Sequence, residues 1–309
     1  MRRLLFAVFI SISVSAAILA QGGQNFDAVQ VQTVRVQGNV YMLTGAGGNV
    51  TVQIGDDGVL IIDTQFAPMA PRLLAAIRKL SDKPIRYIIN THVHRDHSGG
   101  NEEIAKATGA KIIAQENVLK VMSAPPTGRP NDPNDRSTPR GLWPTETYTD
   151  RKTLTFNGEQ IEIIYLPAAH SSGDSIVFFR GSNVITAGDA FAIRFPAYDY
   201  DGGGRIQGSI DGLNRIISLI DSAKKQPGRT YIIPGHGRIC DEPDVVKYRD
   251  MSIVLRDRIR SMIRKGMTLE QVKAAKPLAD YDALYYSPTG LGSDDTVTEV
   301  MYKDLTQNK

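Results

Sequence analysis

All five histidines of this chain stand where clustered metal ligands would be useful. His92, His94 and His97 fall within Thr91-His92-Val93-His94-Arg95-Asp96-His97-Ser98-Gly99-Gly100, His170 within Pro-Ala-Ala-His-Ser-Ser-Gly-Asp, and His236 within Ile-Pro-Gly-His-Gly. A neutral imidazole binds zinc without adding a charge that must be buried. On an extended segment residues two apart point the same way, so His92 and His94 converge on one ion. A turn at Arg95 then lets Asp96 and His97 face a second ion next door. Ser98-Gly99-Gly100 permits the tight backbone before a helix opening at Asn101. The chemistry of such a centre is hydrolysis. Two ions sharing a water lower its pKa, and they polarise the bond under attack. The chain holds no Gly-x-Ser-x-Gly run that would supply a nucleophilic serine instead.

The elements that must position these residues follow from periodicity. Val40–Thr44, Asn49–Ile54 and Val59–Asp63 read as an antiparallel meander from about Val31, punctuated by Gly-Ala-Gly-Gly and Gly-Asp-Asp-Gly. Pro68–Leu80 has an early proline and apolar residues at helical spacing. Ile85–Asn90 is an apolar strand running into the histidine cluster, and Ile104–Val121 holds a helix, a strand at Ile112–Ala114 and a second helix. Ser123–Thr149, with six prolines and the only tryptophan, reads as a long loop or lid, with Trp143 at the pocket rim. Strands resume at Lys152–Phe156, Ile161–Leu166, Ser175–Arg180, Asn183–Thr186 and Thr230–Ile233. Helices follow at Ile210–Ala223, Asp244–Lys265 and Asp294–Asp304. Two β-then-α halves without a linker predict one layered α+β domain over 21–309.

His-x-His-x-Asp-His after an apolar strand resembles the signature of the metallo-β-lactamase superfamily. The likeness continues through Asp63 in Val59-Leu-Ile-Ile-Asp-Thr, His170, Asp189 in Thr-Ala-Gly-Asp-Ala, and His236 in Pro-Gly-His-Gly. The resemblance implies a four-layer αβ/βα sandwich. It further implies that His92, His94 and His170 hold one metal, that Asp96, His97 and His236 hold the second, and that Asp189 bridges them. Asp96 would also orient the hydroxide or carry a proton, and Asp63 would orient a ligand histidine from behind. Two Zn2+ suit this donor set, and manganese or iron would accept it as well. A structural zinc site closes with four ligands and is rich in cysteine. Here there are seven candidates, and the lone Cys240 reads as buried packing. Arg194 and Tyr198, in the Ala190–Gly204 segment, are further candidates for the pocket wall.

Arg2 and Arg3 ahead of an uncharged run to Ala20 read as a cleaved secretory signal, so the expected location is periplasmic or secreted, without stable membrane insertion. Losing those two arginines takes the formal charge from +3 to +1, which leaves no electrostatic footprint for nucleic acid. The expectation is therefore an exported zinc hydrolase that uses a metal-bound hydroxide on an ester, thioester, lactone or amide of a small molecule. A β-lactamase is the alternative. The superfamily's mononuclear iron persulfide dioxygenases and a non-catalytic metal-binding protein are more distant ones. Nothing in the chain sets an oligomeric state.

Overall fold

Alternation of apolar side chains along the strands determines which way each sheet faces. In the computed structural model, which describes residues 25–126, 136–224, 228–285 and 293–307, twelve strands form two sheets. The signal segment expected at 1–20 and residues 127–135 of the polar stretch lie outside the described residues. The first sheet collects β1 (Gln32–Gln37), β2 (Val40–Thr44), β3 (Val50–Gly55), β4 (Gly58–Ile62), β5 (Ile85–Ile89), β6 (Lys111–Gln115) and β7 (Glu146–Tyr148) in chain order. Between them come α1 (Ala70–Leu80), α2 (Arg95–Ser98), α3 (Asn101–Thr108) and α4 (Glu116–Met122). The second sheet runs β12-β11-β10-β9-β8, built from β8 (Arg151–Phe156), β9 (Glu159–Leu166), β10 (Asp174–Phe179), β11 (Val184–Gly188) and β12 (Tyr231–Pro234). Helix α5 (Ile206–Ala223) precedes β12. After it come α6 (Glu242–Arg264), α7 (Leu269–Ala274), α8 (Asp282–Tyr285) and α9 (Asp294–Gln307).

Period two sorts the side chains into layers. Leu60, Ile62, Ile89 and Ile113 of the first sheet meet Ile161, Ile163, Val177 and Phe179 of the second in one buried cluster. The alternate residues Val59, Ile61, Ile88 and Ile112 face outward onto Leu73 and Ile77 of α1 and Ile104 of α3. On the far side Ile176, Phe178 and Ile185 pack beneath Leu213 and Ile216 of α5, Leu255 of α6 and Met301 of α9. The order of layers is helix, sheet, sheet, helix, as the sequence resemblance implied.

Boundaries shifted by a residue or two in most elements. Residues 146–148, expected within a loop, form β7 and pair in parallel with β6. His92 and His94 follow β5 on a bend and are not part of the strand, and Arg95–Ser98 is itself a short helix. The strands β4, β5, β9, β11 and β12 end at the same rim of the sandwich, because β4 and β5 are parallel, as are β11 and β12, while β9 and β11 both run antiparallel to β10. That rim carries the site.

Candidate metal centre

Each candidate ligand leaves the end of a strand on a short, anchored segment. Asp63 follows β4 with a left-handed φ of 65°, which turns its carboxylate back under the loop after β5. Its Oδ1 accepts the Thr91 N–H at 2.8 Å, and its Oδ2 accepts both the Thr91 hydroxyl at 2.7 Å and His97 Nδ1 at 2.8 Å. Because the Thr91 hydroxyl donates to Asp63, it must accept from His92 Nδ1, 3.0 Å away. His170 Nδ1 donates to the Ala197 carbonyl at 2.7 Å, and His94 Nε2 donates to Asp199 Oδ2 at 2.9 Å. Four imidazoles thus have one nitrogen committed outward, which fixes what the other nitrogen can do.

The inward nitrogens converge in two groups. His94 Nδ1 lies 3.2 Å from His92 Nε2 and 3.0 Å from His170 Nε2. In the second group Asp96 Oδ2, His97 Nε2, His236 Nε2 and Asp189 Oδ1 stand 3.2–3.5 Å apart in five of their six pairings. Ligands about 2.0–2.1 Å from a tetrahedral zinc stand about 3.4 Å from one another, so this is the spacing of a coordination shell. Asp189 belongs to both groups, with Oδ1 on His97 and His236 and Oδ2 3.6 Å from His170 Nε2. Its Oδ1 is buried yet makes no hydrogen bond, an arrangement that is costly unless a cation satisfies the atom.

The electrostatics agree with that arrangement. Burial, reinforced by the His97 and His94 imidazoles, holds His92 well below its ordinary pKa, and burial takes His170 down to about 4. Both are neutral donors at pH 7. Burial would depress His97 too, but Asp189 and Asp63 on either side push it well above its ordinary value. Burial works to raise Asp96 and Asp189. Nevertheless the hydrogen bond from His236 and the His97 charge keep Asp96 at about 2, and His97, Arg194 and His170 hold Asp189 well below the carboxylate range. A pocket with two ionised carboxylates and a histidine that attracts positive charge is suited to cations.

Glycines let the backbone approach. An added Cβ at Gly48, in the β2–β3 turn, would meet His97 Cε1 at 2.2 Å, and one at Gly235 would meet Asp189 Oδ1 at 2.0 Å. The turn is tied in by Gly48 N–H to the Asp96 carbonyl and by Asn49, which donates to the carbonyls of Pro234, Gly235 and Gly237 around His236.

The remaining candidates divide. Arg194 is in the site, its Nη2 2.5 Å from Asp189 Oδ2. Trp143 packs instead on Val93, Ala114, Val118 and Met122, with its indole N–H given to the Thr138 carbonyl. Tyr198 is buried in the α5–α9 core, where burial and the neighbouring Asp304 push its phenol well above the ordinary range. Both side chains are drawn into packing. Sequence reasoning missed Thr91, Ala197, Asp199 and Arg136. Ala197 and Asp199 fall in the Ala190–Gly204 segment and Arg136 in the Ser123–Thr149 loop, but none was singled out there.

Residues 43–236 match the profile of the metallo-beta-lactamase superfamily, so the chain belongs to that superfamily. It is 27% identical over 160 residues to the 2,4-dinitroanisole O-demethylase subunit alpha of Nocardioides sp., covering 51% of this chain and 45% of the relative. It is 28% identical over 160 residues to a linear primary-alkylsulfatase of Pseudomonas sp., covering 41% and 30% respectively. The match spans less than half the length of either relative. The stereoselective inverting sec-alkylsulfatase of Pseudomonas sp. shares the fold, with a TM-score of 0.62 and 18% identity over 88% of this chain and 50% of that one.

Proposed function

We propose that the chain is an exported dinuclear zinc hydrolase of a small-molecule ester, in which His92, His94 and His170 hold one ion, Asp96, His97 and His236 the other, and Asp189 bridges. The single observation that carries the reading is Asp189, with one oxygen turned to each histidine group and Oδ1 buried without a hydrogen bond. When bound, the pair of ions would supply a water acidified towards neutrality and a Lewis acid for the bond under attack. The protein's part is positional. Asp63 holds His97 directly and His92 through Thr91. Asp96 is turned to the histidines through Oδ2 and its side chain is 27% exposed, so Oδ1 is the atom that takes a proton from water and returns it to the leaving group. Arg194 keeps the Asp189 carboxylate in place from the open side.

The bond types proposed are ester, thioester, lactone and amide, and the alkylsulfatase relative adds sulfate esters to them. Export rests on the basic, then apolar run of residues 1–20. Among the described residues no helix is long and apolar enough to cross a membrane. The test is a turnover panel on zinc-loaded protein containing a lactone, a thioester, an alkyl sulfate, a phosphodiester and a chromogenic cephalosporin, with metal counted by elemental analysis. Two zinc ions per chain and turnover of an ester-type substrate are expected. Cephalosporin as the sole substrate would make it a β-lactamase. One iron per chain, or silence from fully loaded protein, would overturn the reading.

A further inference from the structure

Asp199 lies between β11 and α5 in the stretch that wraps the first histidine group. Its Oδ2 accepts His94 Nε2 at 2.9 Å, and Arg136 grips both oxygens, Nη1 on Oδ2 and Nη2 on Oδ1 at 2.7 Å. The Gly202 N–H donates to Oδ1 at 2.9 Å, and the Asp199 N–H donates to the His170 carbonyl at 2.7 Å. With Ala197 accepting from His170 Nδ1, two residues of this stretch, Ala197 and Asp199, orient two of the three histidines in this group. Arg136 arrives from a different part of the chain. Two residues on, the Thr138 N–H donates to the Met122 carbonyl at the end of α4, and the Thr138 carbonyl takes the Trp143 indole. The segment carrying Arg136 is therefore stapled to α4, and Trp143 is part of the staple.

His94 differs from its neighbours in what immobilises it. His92 and His170 are almost fully buried, so packing reinforces their hydrogen bonds to Thr91 and Ala197, whereas the His94 side chain is 23% exposed. A partly exposed ring can rotate and exchange Nδ1 for Nε2 unless a partner holds it. The partner here is a carboxylate whose plane is set by a two-pronged guanidinium, a geometry that a point charge cannot impose.

We propose that Arg136 and Asp199 are positioning residues for the first metal. The guanidinium sets the Asp199 carboxylate, the carboxylate keeps the proton of His94 on Nε2, and Nδ1 is left as a lone pair aimed between His92 and His170. The inference rests on the reading of those three histidines as one ligand set. Coupling of this kind is reciprocal, so an ion at the first position strengthens the Arg136–Asp199 contact as the contact strengthens binding.

The test titrates Zn2+ into metal-free full-length protein against a chromophoric chelator, resolving two successive affinities, while 15N-histidine NMR reads the His94 tautomer. Arg136→Ala and Asp199→Ala are each expected to weaken one of the two affinities by about tenfold or more, the scale of lost outer partners, and to mix the tautomers of His94. The second affinity is expected to hold. Arg136→Lys should recover only part of the loss, because an ammonium cannot fork. Unchanged affinity and tautomer in Arg136→Ala would overturn the proposal, as would a loss shared equally by both ions with a lowered melting temperature. His94→Ala serves as the separate control. If it binds both ions like the wild type, the ligand reading has failed and not merely its outer support.

Discussion

At the scale of single residues, Asp96 and Asp63 are both carboxylates beside His97 with different surroundings. Asp63 is buried and spends both oxygens on Thr91 and His97, so it has none left for a substrate. Asp96 is partly exposed and held at about 2, burial being outweighed by the His236 hydrogen bond and the His97 charge. It stays ionised through neutral pH and is available as a proton acceptor. Asp96→Asn, assayed at saturating zinc because Asp96 is also a proposed ligand of the second ion, is expected to cut kcat by about 100-fold or more, within the usual range for a lost acid or base. Turnover near the wild-type rate, alongside full metal by elemental analysis, would remove Asp96 from the chemistry. Asp63 was legible because it ends an apolar strand run within a recognised order of motifs. Asp199 has no such marker, since its role comes from Arg136 and His94, respectively 63 and 105 positions away in the chain.

At the scale of elements, the β2–β3 turn does more than connect two strands. Gly48 sits so close to His97 that any side chain would displace the imidazole. Gly48→Ala is expected to weaken the second ion while the far-UV circular dichroism stays native; a variant that binds both ions normally would show that the turn has room to move. The two sheets are also joined by polar atoms. Thr51 of β3 and Thr186 of β11 share a buried hydroxyl contact of 2.8 Å between the layers. Thr51→Val strands the partner hydroxyl and is expected to cost about 1–3 kcal/mol. Replacing both threonines by valine should recover much of that, which urea denaturation of the single and double variants would read. Strands and long helices were legible from periods of 2 and 3.6. The short strand β7 was not, because its three residues show no period and exist only by pairing with β6.

At the scale of the whole molecule, the centre sits at one rim of a sandwich, and its candidate ligands come from both sheets. A bound ion would therefore tie the sheets together and offset the crowding of Asp96 and Asp189. Ions at about 100 times their dissociation constants would each stabilise the fold by about 2.7 kcal/mol. Chelation is accordingly expected to lower Tm by about 5 °C or more, and restored zinc to raise it again. Identical melting curves with and without chelator would count against ions joining the two sheets.

The histidine spacing, the strand-end aspartates and the alternation of apolar residues are local patterns, so the sequence alone determined a layered α+β fold, and the order of its motifs, through the resemblance they carry, the four-layer sandwich and the seven candidate ligands. Tertiary structure decided which nitrogen of each ring faces inward, which carboxylate oxygen faces which group, and which side chains support them. It drew Trp143 and Tyr198 into packing and brought Arg136 and Asp199 to His94. Those outcomes depend on pairings between distant segments, and such a pairing leaves no period or motif in either segment by itself.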